Sequence, residues 1–263
     1  MAAYEDIKVE SENGIRWIAI NRPTKLNCFR NQTIDELTDA FREAGRDASV
    51  GAIVLSGEGG KSFCAGGDIE EMSAMNAQSG RVFLQRLMGL ARAIREAPQP
   101  VIAMVDGYCL GGGHELHMIC DLTIASSRSK FGQTGPRVGS VPVWFGTQML
   151  PRILGEKRAR EVVFLCEQYS AEQALSWGLV NQVHPPENLK EETRKTCQKI
   201  LVMSPQSIRI AKISFNFGTD AMGPSFTHAL EMLASCYGGP ELLEGMNAFR
   251  EKRQPDFSKF RKN

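Results

Sequence analysis

The segment Cys109-Leu110-Gly111-Gly112-Gly113-His114-Glu115-Leu116 carries residue types that could do chemistry. Its three glycines separate an apolar run, Val101–Val105, from a helix-like run starting near His114. Glycine costs about 1 kcal/mol in a helix interior. A triplet at a helix start therefore implies that something approaches the backbone closely. A helix N-terminus offers unpaired N–H groups and a positive dipole end. Both would stabilise negative charge developing on a carbonyl oxygen. Glu115 lies within a turn and could move a proton. The plainer alternative is tight helix–strand packing beside a surface glutamate.

A second glycine segment changes the balance. Ser62-Phe63-Cys64-Ala65-Gly66-Gly67-Asp68-Ile69 follows an apolar strand, Ala52–Ser56, and precedes a polar, helix-prone stretch. Two βα junctions can meet at one sheet edge, where ligands usually bind. Two N–H groups converging there would make an oxyanion hole. Neither segment matches Gly-x-Gly-x-x-Gly or Gly-x-x-x-x-Gly-Lys-Ser/Thr, which disfavours phosphate cradling.

These residues must be positioned by a regular scaffold, and the pattern supplies one. Ile15–Ile20, Val101–Val105 and Leu122–Ala125 read as further strands. Ile34, Leu37, Phe41 and Ala44 share one helical face, and Phe83, Leu87, Leu90 and Ile94 share another. Strands alternating with helices at this spacing give an α/β fold built of βαβ units. The second half is mostly helical. Arg160–Cys166 has a helical pattern, and Ser170-Ala171-Glu172-Gln173 has the form of a capping box. Leu179–Val183 reads as a short strand-like run. Three or four helices fill the chain beyond Pro185, broken at Ser204-Pro205 and Gly238-Gly239-Pro240. No repeat or low-complexity linker divides the chain.

Composition excludes several function classes. The 263 residues carry a net charge of +1, which argues against nucleic-acid partners, and no apolar stretch suits a membrane span. Seven scattered cysteines form no Cys-x-x-Cys pair or Cys/His cluster, so disulfides and zinc are disfavoured. Reduced thiols and the lack of an apolar signal core suggest a cytoplasmic protein.

Taken in order, Cys64–Ile69, Gly111–Glu115, Cys120-Asp121-Leu122 and Ala171–Val183 resemble the crotonase superfamily, the enoyl-CoA hydratase/isomerases. The resemblance runs from about Tyr4 to the C-terminus. It implies a crotonase (ClpP-like) spiral of ββα units over residues 1–203 and a helical trimerisation region over 204–263. It implies an acyl-CoA thioester substrate, no cofactor beyond coenzyme A itself, no metal, and a homotrimer or a dimer of trimers. Gly67 and Gly112 match the positions whose N–H groups hold the thioester enolate. Within the superfamily, His114–Ala125, Phe131–Ser140 and the tail Glu251–Phe257 resemble the 1,4-dihydroxy-2-naphthoyl-CoA synthases and alicyclic ketoacyl-CoA hydrolases. That subgroup implies catalytic roles for Ser140 and Tyr237. Gly135 matches a glycine that, in one branch, leaves room for bicarbonate as base.

Two departures separate the chain from those synthases. Pro142 stands where they carry aspartate, and Glu115 stands where they carry an apolar residue. Glu115 restores the first of the two hydratase carboxylates, whereas the second would fall at Gly135. The expected catalytic set is therefore Glu115, Ser140 and Tyr237. The expected substrate-binding set is Lys25, Leu26, Ala65, Asp68, Gly135, Trp144 and Lys252. Lys252, Arg253 and Lys259 could meet nucleotide phosphates, in their own or a neighbouring subunit, or form a solvated tail. Asp68 could instead cap a helix, Ser140 could cap a turn, and Tyr237 could pack at a helix end. His114 and His117 are expected to be structural. The readings in play are a hydratase or lyase for a bulky or cyclic acyl group, a cyclase or ring-opening hydrolase, and a non-catalytic acyl-CoA binder.

Overall fold

A computed structural model describes residues 4–261. The chain runs β1 (Ile7–Glu12), β2 (Ile15–Ile20), α1 (Asn31–Arg46), β3 (Ala52–Gly57), β4 (Ser62–Cys64), α2 (Ile69–Ser73), α3 (Ala77–Glu96), β5 (Val101–Val105), β6 (Tyr108–Leu110) and α4 (Gly112–Ile119). It continues through β7 (Leu122–Ser126), β8 (Lys130–Gly132), α5 (Gly146–Leu154), α6 (Glu156–Leu165), β9 (Tyr169–Ser170), α7 (Ala171–Ser176) and β10 (Gln182–His184). Four helices close it: α8 (Leu189–Leu201), α9 (Pro205–Asp220), α10 (Gly223–Cys236) and α11 (Pro240–Arg250).

The strands form two sheets, ordered β1-β2-β3-β5-β7-β10 and β4-β6-β8-β9. From β3 to α5 each turn of the chain lays a long strand in the first sheet, a short strand in the second, and then a helix. This is the expected spiral of ββα units. The β1–β2 pair is an antiparallel hairpin whose Asn13-Gly14 turn takes positive φ at both residues, as a tight hairpin turn requires. Along the rest of the first sheet the pairings are parallel. Its central strands are apolar nearly throughout because helices cover one face and α8 part of the other.

The apolar stripes of α1 and α3 are buried as expected, from Ile34 to Ala44 and from Phe83 to Ile94. The Ser170–Gln173 capping box is present, with Gln173 N–H donating to Ser170 Oγ at 3.2 Å and Ser170 N–H to Gln173 Oε1 at 2.9 Å. Two expectations need correction. The expected strand at Leu179–Val183 is confined to Gln182–His184, because Leu179 and Val180 close the end of α7 with N–H bonds to Ala174. The second-sheet strands β4, β6 and β8 have no periodicity to read, since each is three residues long. The two glycine segments do meet at a sheet edge, but it is the edge of this second sheet. No described helix is long and apolar enough to cross a membrane.

Helix α4 is seated directly on β4. A Cβ added at Gly113 would stand 2.0 Å from the Cys64 carbonyl oxygen and 2.6 Å from its carbon. Backbone cannot yield there as a side chain could. Gly113→Ala should therefore cost about 3 kcal/mol, the upper end for overpacking a core. Urea denaturation checks this, and an unchanged midpoint would show that α4 can shift freely.

Candidate active site

Strands β4, β6 and β8 pair in parallel, so their C-terminal ends open on one edge. Each delivers a loop there. β4 runs into Ala65–Asp68, β6 into Gly111 and α4, and β8 into Gln133–Ser140. The loops line a cleft of about 820 Å³. Lys25, Leu26, Ala65, Gly67, Asp68, Gly112, Glu115, Gly135, Ser140, Trp144 and Tyr237 all stand on its wall. Lys252 does not. The chain leaves α11 through a left-handed Lys252, φ +55°, whose N–H bonds to Phe249, and the exposed Arg250 takes the place on the cleft wall. Arg253 and Lys259 are bound to Glu244, at 2.7 and 3.6 Å, and pin the tail.

The two glycine loops touch. A Cβ on Gly66, which has φ +103°, would lie 3.1 Å from the Gly112 nitrogen, so only glycine lets the strands come this close. Gly112 opens α4, where no carbonyl precedes to take its N–H. Among the described residues the N–H groups of Gly67 and Gly112 donate to no protein acceptor. Phe29 organises both. Its N–H donates to Gly66 O and its carbonyl accepts from Asp68 N–H, each at 2.9 Å, while its ring would meet a Cβ on Gly112 at 2.6 Å. Sequence reasoning missed Phe29 because it lies alone between a loop and α1, outside any periodic run.

Asp68 lines the cleft with its carboxylate already engaged. One oxygen caps α2 by accepting from Glu70 N–H at 3.0 Å, and the other receives Arg22 at 2.9 Å. Arg22 also reaches the Cys28 carbonyl and stands 3.7 Å from Asp6. Asp68 thus holds the loop that presents Gly67. Lys25 pairs with Glu70 at 3.1 Å on the exposed rim.

Glu115 is 6% exposed and sits at the floor of the cleft. Its Oε1 accepts from Gly146 N–H at 3.1 Å, and the Trp144 backbone N–H also favours its ionised form. Burial outweighs both and raises its pKa well above the usual carboxylate value. Tyr237 comes from the end of α10 and is buried beside it. Burial, and then the Glu115 charge, push its phenol above the ordinary range, so it stays protonated and can only donate or accept a hydrogen bond near neutrality. Cys28 also lines the cleft, but burial pushes its thiol up to about 11, which keeps it a poor nucleophile. His114 and His117 are buried behind the glycine motif. His114 Nδ1 meets Gln133 at 3.1 Å and His117 Nδ1 meets Thr123 at 3.0 Å. Burial lowers both pKa values, His114 to about 3, so neither carries charge near neutrality.

This arrangement places two free N–H donors, one buried carboxyl and one phenol around a cleft with mostly apolar walls. A sequence profile of the enoyl-CoA hydratase/isomerase family matches residues 10–260. The chain belongs to that family. It is similar to an enoyl-CoA hydratase from Mycobacterium avium subsp. paratuberculosis K-10, at 27% identity over 97% of this chain and 99% of that one, with a TM-score of 0.86. It is similar to an enoyl-CoA hydratase from Bacillus anthracis, at 31% identity over 96% and 99%, with a TM-score of 0.79. It is also similar to a methylmalonyl-CoA decarboxylase solved with 2-nitronate-propionyl-CoA, at 31% identity over 97% and 99%, with a TM-score of 0.85.

Gly146 is a further site residue that periodicity could not show. A Cβ there would stand 2.8 Å from Glu115 Oε1. Gly146→Ala should fold with parental helix content but push the carboxylate aside. Turnover of an enoyl-CoA accepted by the parent should drop by about 100-fold, the scale of a displaced acid–base group. Parental turnover would show that the Gly146 contact is dispensable.

Proposed function

We propose that this family member hydrates an enoyl-CoA whose acyl group is bulky or cyclic. The observation carrying this reading is the buried Glu115 carboxyl standing with the unpartnered Gly67 and Gly112 N–H groups in one cleft. Glu115 takes a proton from water as the water oxygen bonds to Cβ of the enoyl group. The double-bond electrons move through Cα to the thioester oxygen, where the two N–H groups hold the enolate. Glu115 then returns the proton to Cα, and the carbonyl reforms. One carboxyl is enough for both transfers, which answers the lack of a second carboxylate at Gly135. Tyr237 supplies a protonated phenol beside Glu115, and Ser140 a hydroxyl on the opposing loop. Two similar structures, both of enoyl-CoA hydratases, support the class. Apolar side chains such as Phe83, Leu87, Val141 and Trp144 on the cleft wall support a bulky acyl group.

Glu115→Gln should lower turnover by about 100-fold or more, read with a panel of linear and cyclic enoyl-CoA thioesters. Retained activity in that variant would remove Glu115 from the mechanism, and no turnover of any acyl-CoA by the parent would favour a non-catalytic binder. The pH profile has a definite sign. The base must be ionised, and burial raises its pKa, so kcat/KM should fall on acidification from a point above the ordinary carboxylate range.

The cyclase reading is weaker. Pro142 is buried against Gly146 and has no proton to accept or give. The atoms that would stand closest to a Cβ on Gly135 belong to the Ser140–Val141 backbone, first the Ser140 carbonyl oxygen at 3.2 Å. The Val141 nitrogen stands close by at 3.4 Å, and no step is assigned to a bicarbonate there. Bicarbonate-dependent cyclisation of succinylbenzoyl-CoA would overturn this ranking.

The protein also has a surface suited to self-association. Of the apolar side chains in the last two helices, Leu233, Leu242 and Met246 are buried within the chain itself, so they need no partner. Met232 and Phe249 in those helices are exposed, and a larger uncovered cluster lies earlier. Val202, Met203, Ile210, Ile213, Phe215 and Phe217, on and before α9, are exposed. Each such side chain is worth about 1.5–3 kcal/mol when fully buried. We read α9 as the contact of a homotrimer or a dimer of trimers. Light scattering should give a multiple of three times 29.1 kDa, and Phe215→Asp with Phe217→Asp should dissociate it. A stable parental monomer would refute this assignment.

A further inference from the structure

Phe145 is a buried aromatic residue at φ +71°, a conformation unfavourable for any side chain with a Cβ. It lies between the two residues whose N–H groups serve Glu115, namely Trp144 and Gly146. Its own carbonyl accepts from Met149 N–H at 2.8 Å and so begins α5. Strain of this kind persists only where the surroundings over-determine it. Here they do. The Phe145 ring packs on Phe226 of α10 with centroids 4.3 Å apart. The Arg95 guanidinium of α3 stands 5.5 Å from the ring centroid. Arg95 is itself held by Thr219 at 2.7 Å and Asp220 at 2.8 Å, both on α9. Phe145, Phe226, Arg95 and Asp220 line a second cavity.

We propose that Phe145 is a positioning residue, whose ring, seated between Phe226 and Arg95, holds a left-handed turn that aims the Trp144 and Gly146 N–H groups at the Glu115 carboxylate. The inference rests on Glu115 as the acid–base group, but its test does not need turnover. N–H bonds to a carboxylate favour the ionised form and lower its pKa. Loss of the turn therefore raises the Glu115 pKa further. Tyr237 is the titratable neighbour of Glu115. The charged groups elsewhere on the cleft wall are Lys25, Asp68, Glu70, Arg137 and Arg250, and the variants below leave them all in place.

The test follows the Glu115 side-chain carboxyl by carbon-13 NMR in the full chain, with Glu115→Gln assigning the signal. Phe145→Leu keeps the strain and loses the aromatic seat. Its midpoint should rise by about half a unit to one unit, the scale of one or two hydrogen bonds. Phe145→Gly adopts positive φ without strain, so its midpoint should stay near the parent's although it removes more atoms. Phe226→Leu should raise the midpoint in the parent and leave it unchanged in the Phe145→Gly background. If Phe145→Leu does not fold, the Phe226→Leu pair decides alone. A parental midpoint in folded Phe145→Leu, or equal shifts from Phe226→Leu in both backgrounds, would overturn the proposal. Full activity of Glu115→Gln would instead remove the mechanistic reading and leave this positioning result standing.

Discussion

Three strands of three residues each, hydrogen-bonded side by side in parallel, decide where the chemistry stands. Because β4, β6 and β8 run the same way, their carboxyl ends open on one edge, and their three following loops must meet there. The first sheet is larger, and the loop after its strand β2 brings Lys25, Leu26, Cys28 and Phe29 to the cleft. Its work is to bring the chain back in parallel after each helix, so that the next short strand falls beside the last. The close approach of Gly66 to Gly112 then follows from register, and glycine is the only residue that tolerates it. That contact brings the loop carrying Gly67 against the start of α4, where Gly112 N–H has no carbonyl partner.

The electrostatics depend on the same geometry. A helix start pointed at the cleft leaves Gly112 N–H without a carbonyl partner, and one turn later the same helix places Glu115 on the floor. Burial there disfavours the carboxylate, and the N–H groups of Trp144 and Gly146 oppose that tendency without cancelling it. The carboxyl's pKa therefore stays above the ordinary carboxylate value, the direction that suits an acid–base group. The two buried histidines next to it contribute no competing charge, since burial keeps both neutral. Asp68, the other carboxylate near the glycine loop, is drawn off by Arg22 and by the cap of α2. With Glu70 paired to Lys25 on the rim, Glu115 is the buried carboxyl of the cleft.

Much of this was legible in the residues, for reasons that are physical. Long strands and amphipathic helices announce themselves by period, so β2, β3, β5, β7, α1 and α3 could be placed from spacing. Glycine triplets and pairs are expensive, and their cost marked Gly66-Gly67 and Gly111–Gly113 as places of close approach. The resemblance supplied Ser140 and Tyr237, which no pattern would have chosen. The unread part is what depends on contact between distant segments. Phe29 lies outside any periodic run, yet it sits beneath both glycine loops. Gly146 reads as an ordinary loop glycine until Glu115 is seen 3.1 Å from its nitrogen. Lys252 looked like a phosphate ligand because charge is visible in sequence, whereas the left-handed turn placing it off the cleft wall is not.

The loop from Gly135 to Gly146 shows how one scaffold can change its chemistry with few residues. Gly135 offers no carboxylate, and Pro142 offers no proton, so neither proton-transfer solution suggested by the resemblance is complete at those two positions. What the loop does offer is bulk and backbone. Trp144 and Phe145 are both buried, the Gly146 N–H bonds Glu115, and the Trp144 N–H also favours its ionised form. A backbone N–H cannot be titrated and does not depend on a rotamer, so its effect on the carboxyl is constant across pH. The cost of that constancy is a left-handed phenylalanine, which the helical C-terminal region must hold in place through Phe226 and the Arg95 neighbours on α9. The helices after β10 therefore act on the active site at two removes: Tyr237 enters it directly, and Phe226 shapes the turn that enters it. A chain truncated before α10 would keep Gly67, Gly112 and Glu115, but it would lose the phenol and the support of the turn together.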